Sequence, residues 1–136
     1  MKDIKATIIE IENTKQLHRV VFEICQEKLS MFSLQLPSAY TIGSCVKLSC
    51  NPTAIAIAKD LLDTTQVSYE NQLRATITKI DKGKLLSVVS LDICGYMIES
   101  VISTKSLDKM QLLVGDSVVA LIKASELAIS GVCDDR

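Results

Sequence analysis

The stretch VISTKSLDKMQLLVGDSVVALIKASELAI, Val101 to Ile129, decides the reading of this chain. A polar ISTKS cluster closes one apolar run, and a KAS triplet closes a second, VVALI. Between them lie a short amphipathic segment, SLDKMQLL, and a turn, VGDS. Serine hydroxyls, backbone N–H groups and one lysine are thereby offered at the ends of strands, with no carboxylate among the converging residues. Such a set suits a tetrahedral oxyanion, which needs donors on every side and no competing negative charge. No nucleophile–base pair and no metal-ligating cluster is visible, so the pattern points to binding and not to catalysis.

The rest of the chain is a second edition of the same pattern. Shifted by 69 residues, KATIIEI (Lys5–Ile11) lies over RATITKI (Arg74–Ile80), and VVFEIC (Val20–Cys25) over VSLDIC (Val89–Cys94). After a three-residue deletion the shift becomes 72, and Ile42–Ile57 lies over Val114–Ile129, with Gly43 on Gly115 and Val46 on Val118. A repeat of this length is one small domain used twice, not a solenoid of many short units. The expected division is a first copy at 1–58, a linker at 59–67, a second copy at 68–131 and a tail at 132–136.

Within each copy, β-branched runs and apolar alternation predict strands, as at Thr7–Ile11, Val20–Cys25 and Val89–Ile93. Turns fall at Glu12–Lys15 and Asp81–Lys84, and again at Gly43 and Gly115. One helix is expected, from Ser106 to Leu113 with Ser106 as its cap. In the first copy Pro37 and the deletion shorten it to a turn. The fold class is all-β: two tandem OB-like small barrels, each of about five strands with one short helix.

Composition excludes several functions. Fifteen basic and 16 acidic residues leave a net charge of −1, and aromatics are 4% with no tryptophan. A nucleic-acid groove would want a basic stripe and stacking rings, so no nucleic-acid partner is expected. No segment approaches a membrane span of roughly 20 apolar residues, so no membrane partner is expected either. The start MKDIKATIIE lacks an export-type apolar region, and the five cysteines form no C-x-x-C pair; they read as reduced cytoplasmic thiols. Cys25 and Cys94 read as small core residues, and His18, with no partner at ligand spacing, as a bystander. Hydrophobic residues make up 48% of the chain, with mean hydropathy +0.29. Two domains of about 65 residues bury little on their own, so the excess apolar area suggests subunit contacts.

The quoted stretch resembles the small molybdate- and tungstate-binding domains called Mop or TOBE. Their signature is I-T-x-x-S, then a G-x-x-V turn and strand, then A-L-I-K-A-S-x-V. Ile102, Ser103 and Ser106 fall on the first part, Gly115 and Val118 on the second, and Ala120–Ser125 on the third. The resemblance runs from Ser68 to Ile129, and with the internal repeat it implies a tandem, di-Mop (molbindin-like) chain. It further implies molybdate or tungstate as the bound oxyanion, with no metal held directly by side chains. The implied site is Ser68, Asn71, Ser103, Ser106, Lys123, the Ala124 N–H and Ser125, at domain and subunit boundaries of a homo-oligomer, a trimer. Storage or homeostasis in the cytoplasm, without catalysis, is the implied role. The repeats carry no helix-turn-helix or Walker motif, which sets aside a repressor and a transporter ATPase.

Two departures from the family pattern matter. The family domain opens S-A-R-N-x-L, whereas this chain has Ser68-Tyr69-Glu70-Asn71-Gln72-Leu73, with Glu70 in place of the arginine. Either Glu70 points away and the backbone holds the anion, or affinity falls at that point. In the first copy, Asn51-Pro52-Thr53 stands where Lys123-Ala124-Ser125 stands, and Ser33-Leu34-Gln35 replaces the ISTKS region. Pro52 also lacks an N–H. The first copy is therefore expected to be structural or partly competent, and the second to bind. Plainer readings exist for each residue: Lys123 as a solvated strand end, Ser103 and Ser106 as turn and cap residues, Ser125 bonded to its own turn. The alternative function is an oligomerising interaction module of a molybdate transport or molybdoenzyme-maturation system that has lost anion binding.

Overall fold

The computed structural model describes residues 4–59 and 66–133. The Leu61–Leu62 pair of the linker and the Met1–Asp3 segment lie outside the described residues. Ten strands form two five-stranded antiparallel sheets. The first copy supplies β1 (Ile4–Asn13), β2 (His18–Ile24), β3 (Glu27–Ser33), β4 (Cys45–Ser49) and β5 (Ile55–Ala58). The second supplies β6 (Asn71–Lys82), β7 (Leu86–Ile93), β8 (Tyr96–Ser103), β9 (Ser117–Ile122) and β10 (Ala128–Val132).

Each copy does contribute five strands, yet the last one of each crosses over. The sheet orders are β10-β4-β1-β2-β3 and β5-β9-β6-β7-β8. Strand β5 thus pairs with β9 of the second copy (Ile55 opposite Ile122), and β10 with β4 of the first (Ala128 opposite Ser49). The second sheet curls on itself: the Ser100 hydroxyl of β8 donates to the Ile55 carbonyl of β5 at 2.6 Å, so the two edges meet.

Alternation explains the cores. In β1, Ile4, Ala6 and Ile8 turn inward; in β7, Val89, Leu91 and Ile93 do the same. They join Phe22, Leu29, Val46, Leu48, Leu73 and Ile122 in one continuous apolar cluster spanning both sheets. The repeat is kept down to its irregularities. A bulge interrupts β1 after Ile8 and β6 after Ile77. Against each bulge sits a glycine with positive φ: Gly43 N–H donates to the Ile8 carbonyl at 2.8 Å, and Gly115 N–H to the Ile77 carbonyl at 2.7 Å.

The helix α1 (Thr104–Met110) begins two residues before its expected start. Ser103, not Ser106, is the cap: its hydroxyl oxygen accepts the Ser106 N–H at 3.0 Å. Both serines have the right chemistry, and the one that precedes the buried Thr104 prevails. Thr104 anchors α1 by donating to the Gly83 carbonyl and meeting the Ser87 hydroxyl, each at 2.8 Å. The first copy has no α-helix at the matching position; Leu34–Tyr40 is a turn there, as expected.

The cysteine reading is corrected for four of the five. Cys25 is bonded to Cys94 and Cys45 to Cys133, with Cα separations of 6.4 and 5.4 Å; Cys50 is free. Nor are Cys25 and Cys94 core residues. Each is exposed at the tip of a two-residue hairpin, in the left-handed region with its neighbour (Cys25 φ 44, Gln26 φ 68; Cys94 φ 54, Gly95 φ 89). Such turns require positive φ at both central positions. Ile24 and Ile93 are buried at the ends of their strands, and the turn residue after each is exposed. Among the described residues, no helix is long and apolar enough to cross a membrane.

Candidate functional site

Three of the expected residues converge. Ser103 at the end of β8, Ser106 in the first turn of α1 and Lys123 after β9 line one open cleft of about 380 Å³. The first copy completes it: Thr53 lines the same cleft, delivered by the crossing of β5 into the second sheet. Tyr69 and Glu126 line it too, and neither was expected there.

The hydroxyls are ordered by local bonds. Ser103 accepts the Ser106 N–H and donates its own proton to the Ser106 oxygen at 2.9 Å. That leaves the Ser106 proton free to point outward as a donor. Thr53 donates to the Asn51 side chain at 2.9 Å, so its proton is committed until it rotates. Lys123 is exposed and makes no side-chain capping bond to the 3-10 turn that follows it, Ala124–Glu126. Among the described residues that line the cleft, its ammonium is the one cation and Glu126 the one carboxylate. The expectation of a cleft without a carboxylate is therefore corrected. The signal was present in the sequence, since Glu126 sits one residue beyond the KAS triplet on the same tight turn.

The remaining expected residues are placed elsewhere. Ala124 is buried (7% exposed) behind the turn. Ser125 faces a second cleft, of about 630 Å³, opposite Ser33, Leu34 and Gln35. That cleft is the first copy's counterpart of the first, built from the 31–37 segment and the crossing residues 125–129. Phe32, Leu34, Leu36 and Leu127 make it largely apolar. The crossover thus sends Lys123 to one cleft and Ser125 to the other. Ser68 is exposed in the bend ahead of β6 and does not line the Ser103 cleft.

Asn71 is fully buried, and its amide is engaged by the backbone of Ser30: it accepts the Ser30 N–H at 2.7 Å and donates to the Ser30 carbonyl at 2.9 Å. It ties β6 to β3, one sheet to the other. Glu70 points away from the cleft and pairs with Arg19 of the first copy. The Ser30 hydroxyl, opposed by partial burial, and then the Arg19 guanidinium hold its carboxyl below the usual carboxylate range. Arg19 also donates to Glu12 at 3.3 Å and to the Ser30 hydroxyl at 3.1 Å. Burial, with Glu126 adding to it, pushes the Cys50 thiol up to about 11.

The fold is shared with known proteins. Residues 68–129 match the TOBE domain model. The chain superposes with TM-score 0.84 on ModG, a cytoplasmic molybdate-binding protein crystallised with molybdate bound, at 23% identity over 97% of this chain and 96% of that one. It is also similar to a molybdate-binding protein from Sporomusa ovata (34% identity, 43% of this chain and 87% of that one, TM-score 0.42). A third similar structure is MopII from Clostridium pasteurianum (30% identity, 43% and 88%, TM-score 0.41). No curated protein sequence matches the chain significantly.

Proposed function

We propose, from the match of residues 68–129 to the TOBE domain model and from the cleft described above, that the chain binds a tetrahedral oxyanion of the molybdate and tungstate class. The observation that carries the proposal is the convergence of Ser103, Ser106 and Lys123 with Thr53 in one cleft. The Ser106 hydroxyl, free to donate, shares the cleft with the Lys123 ammonium, a pairing suited to a dianion whose four oxygens all accept. Lys123 supplies the charge; Ser106, with Ser103 behind it, supplies an oriented donor. Discrimination against sulfate rests on size, since molybdate has longer metal–oxygen bonds at the same charge.

The reading extends to a cytoplasmic storage or homeostatic role without catalysis, in a homo-oligomer of trimeric type. Exposed Leu34, Ile42, Leu85 and Leu113, each at least 66% accessible, support further burial between subunits. In such an assembly a neighbour's Ser68 or Ser125 completes the donor set that one chain leaves open. A second reading, an interaction module that has lost anion binding, is favoured by Glu126 at the cleft.

Calorimetric titration of oxyanion-stripped protein with molybdate, in buffer with excess sulfate, tests the proposal. Saturable heat that disappears in Lys123→Ala is the expected result. Absence of heat in the unmodified chain transfers the case to the interaction module.

A further inference from the structure

Strand β10 is the least secured strand of the structure. It lies at the edge of the first sheet, and none of its five residues is buried, whereas its counterpart β5 buries Ile55. Its pairing with β4 shifts register between Ile129 and Gly131. Edge strands with few buried contacts open first. Immediately ahead of β10 is the crossover Lys123–Leu127, which carries Lys123 and Glu126 into the oxyanion cleft. At its far end Cys133 is bonded to Cys45 and donates its N–H to the Cys45 carbonyl at 3.1 Å. The crossed strand is thus held at one end by the buried Leu127 and at the other by a covalent bond.

We propose that the Cys45–Cys133 bond is a redox clamp that fixes β10 in the first sheet and thereby holds the Lys123–Glu126 crossover in its anion-binding arrangement. The link to the cleft rests on the oxyanion reading above; the clamp on the strand does not. Both cysteines are partly exposed residues. Formation consumes one small-molecule disulfide such as oxidised glutathione. One cysteine thiolate attacks it and releases one glutathione thiolate. The second cysteine thiolate then attacks the mixed disulfide and releases the other. Two protein thiols become one disulfide, and one glutathione disulfide becomes two thiols. Cys25–Cys94 joins the β2–β3 and β7–β8 hairpin tips, outside β10 and the crossover in sequence, so it serves as a control.

The test uses the full chain equilibrated with oxidised glutathione or with dithiothreitol. Alkylation with mass spectrometry reports the Cys45–Cys133 bond, hydrogen–deuterium exchange reports residues 123–132, and calorimetry reports molybdate binding. The expected result is a bond in the oxidised state, amide exchange over 128–132 slower by about tenfold or more, and molybdate bound several-fold tighter. Cys25→Ser/Cys94→Ser should keep this response, and Cys45→Ser/Cys133→Ser should lose it while behaving like the reduced chain. Free thiols at Cys45 and Cys133 under oxidation, or exchange equal in both states, overturn the clamp. A clamp that forms while molybdate binds equally well overturns its reach to the cleft. Exchange that responds while molybdate binds in neither state supports the clamp and sinks the oxyanion reading instead.

Discussion

Asn71 of β6 and Ser30 of β3 are paired as if each were the other's strand neighbour. The Asn71 carboxamide accepts the Ser30 N–H and donates to the Ser30 carbonyl, at 2.7 and 2.9 Å. Asn71 is fully buried and Ser30 is 6% exposed, so no water replaces either bond. Asn71→Ala should therefore cost about 2–4 kcal/mol of stability, because two buried backbone groups lose their partners. Urea denaturation measures it; a loss below about 0.5 kcal/mol would show that Asn71 is not the tie between the sheets.

Lys123 and Ser103 separate binding from stability. Lys123 makes no side-chain capping bond to the turn that follows it, so Lys123→Ala should lower molybdate affinity at least about tenfold while stability stays within ~0.5 kcal/mol. Ser103→Ala removes the α1 cap and should cost about 1 kcal/mol in addition to weakening binding. Thermal melts beside titrations of the two variants distinguish the roles.

Glu126→Gln removes the carboxylate that shares the cleft with Lys123. At the spacing of neighbouring side chains in water-exposed surroundings, one unit charge is worth on the order of 1 kcal/mol. Molybdate affinity at neutral pH should rise by roughly three- to tenfold. Unchanged affinity would place the carboxylate outside the anion's field.

The Arg19–Glu70 pair gives a pH-dependent contribution. Glu70 has its folded pKa below the ordinary value, so its stabilisation is complete above the unfolded carboxylate pKa and is lost as pH falls through the folded one. Arg19 stays charged throughout. The pair is about one-third exposed, so the effect is small. Arg19→Ala should narrow the stability difference between neutral and acidic pH; a parallel pH profile in both proteins would refute the coupling.

Gly83 and Gly115 fail differently when given a side chain. A Cβ at Gly83 would stand 2.3 Å from the Leu86 carbonyl oxygen, which is backbone and cannot rotate away. At Gly115 a Cβ meets nothing within 4 Å, and the whole cost is its φ of +96°. Gly115→Ala should cost about 1–2 kcal/mol, and Gly83→Ala more, with loss of order at the β6–β7 hairpin that anchors Thr104. Equal losses would contradict the steric argument.

Much of this was legible in the residues. The duplicated strand pattern, the paired glycine turns and the missing first-copy helix follow from apolar alternation and from Pro37. Ser103, Ser106 and Lys123 were legible as a group through the Mop/TOBE resemblance and not through their spacing alone. What could not be read was where the last strand of each copy goes. The IAIA of β5 and the AISGV of β10 satisfy a sheet edge in either lobe, and a repeat says nothing about which lobe. Thr53 was missed for that reason, and so was the placing of Ser125 at a second cleft of the same chain. Asn71 fitted a family motif while its amide was already taken up by Ser30.

The crossing of β5 and β10 means that neither copy is a self-sufficient folding unit. A polypeptide containing a single copy would leave its last strand without a ladder and its sheet with an open edge, a state relieved only by trading strands with another molecule. Joining two copies in tandem turns that encounter between molecules into a local event, at an effective concentration set by a short tether rather than by expression level. Gene duplication here did more than double a binding surface: it made the partnership permanent and independent of dilution.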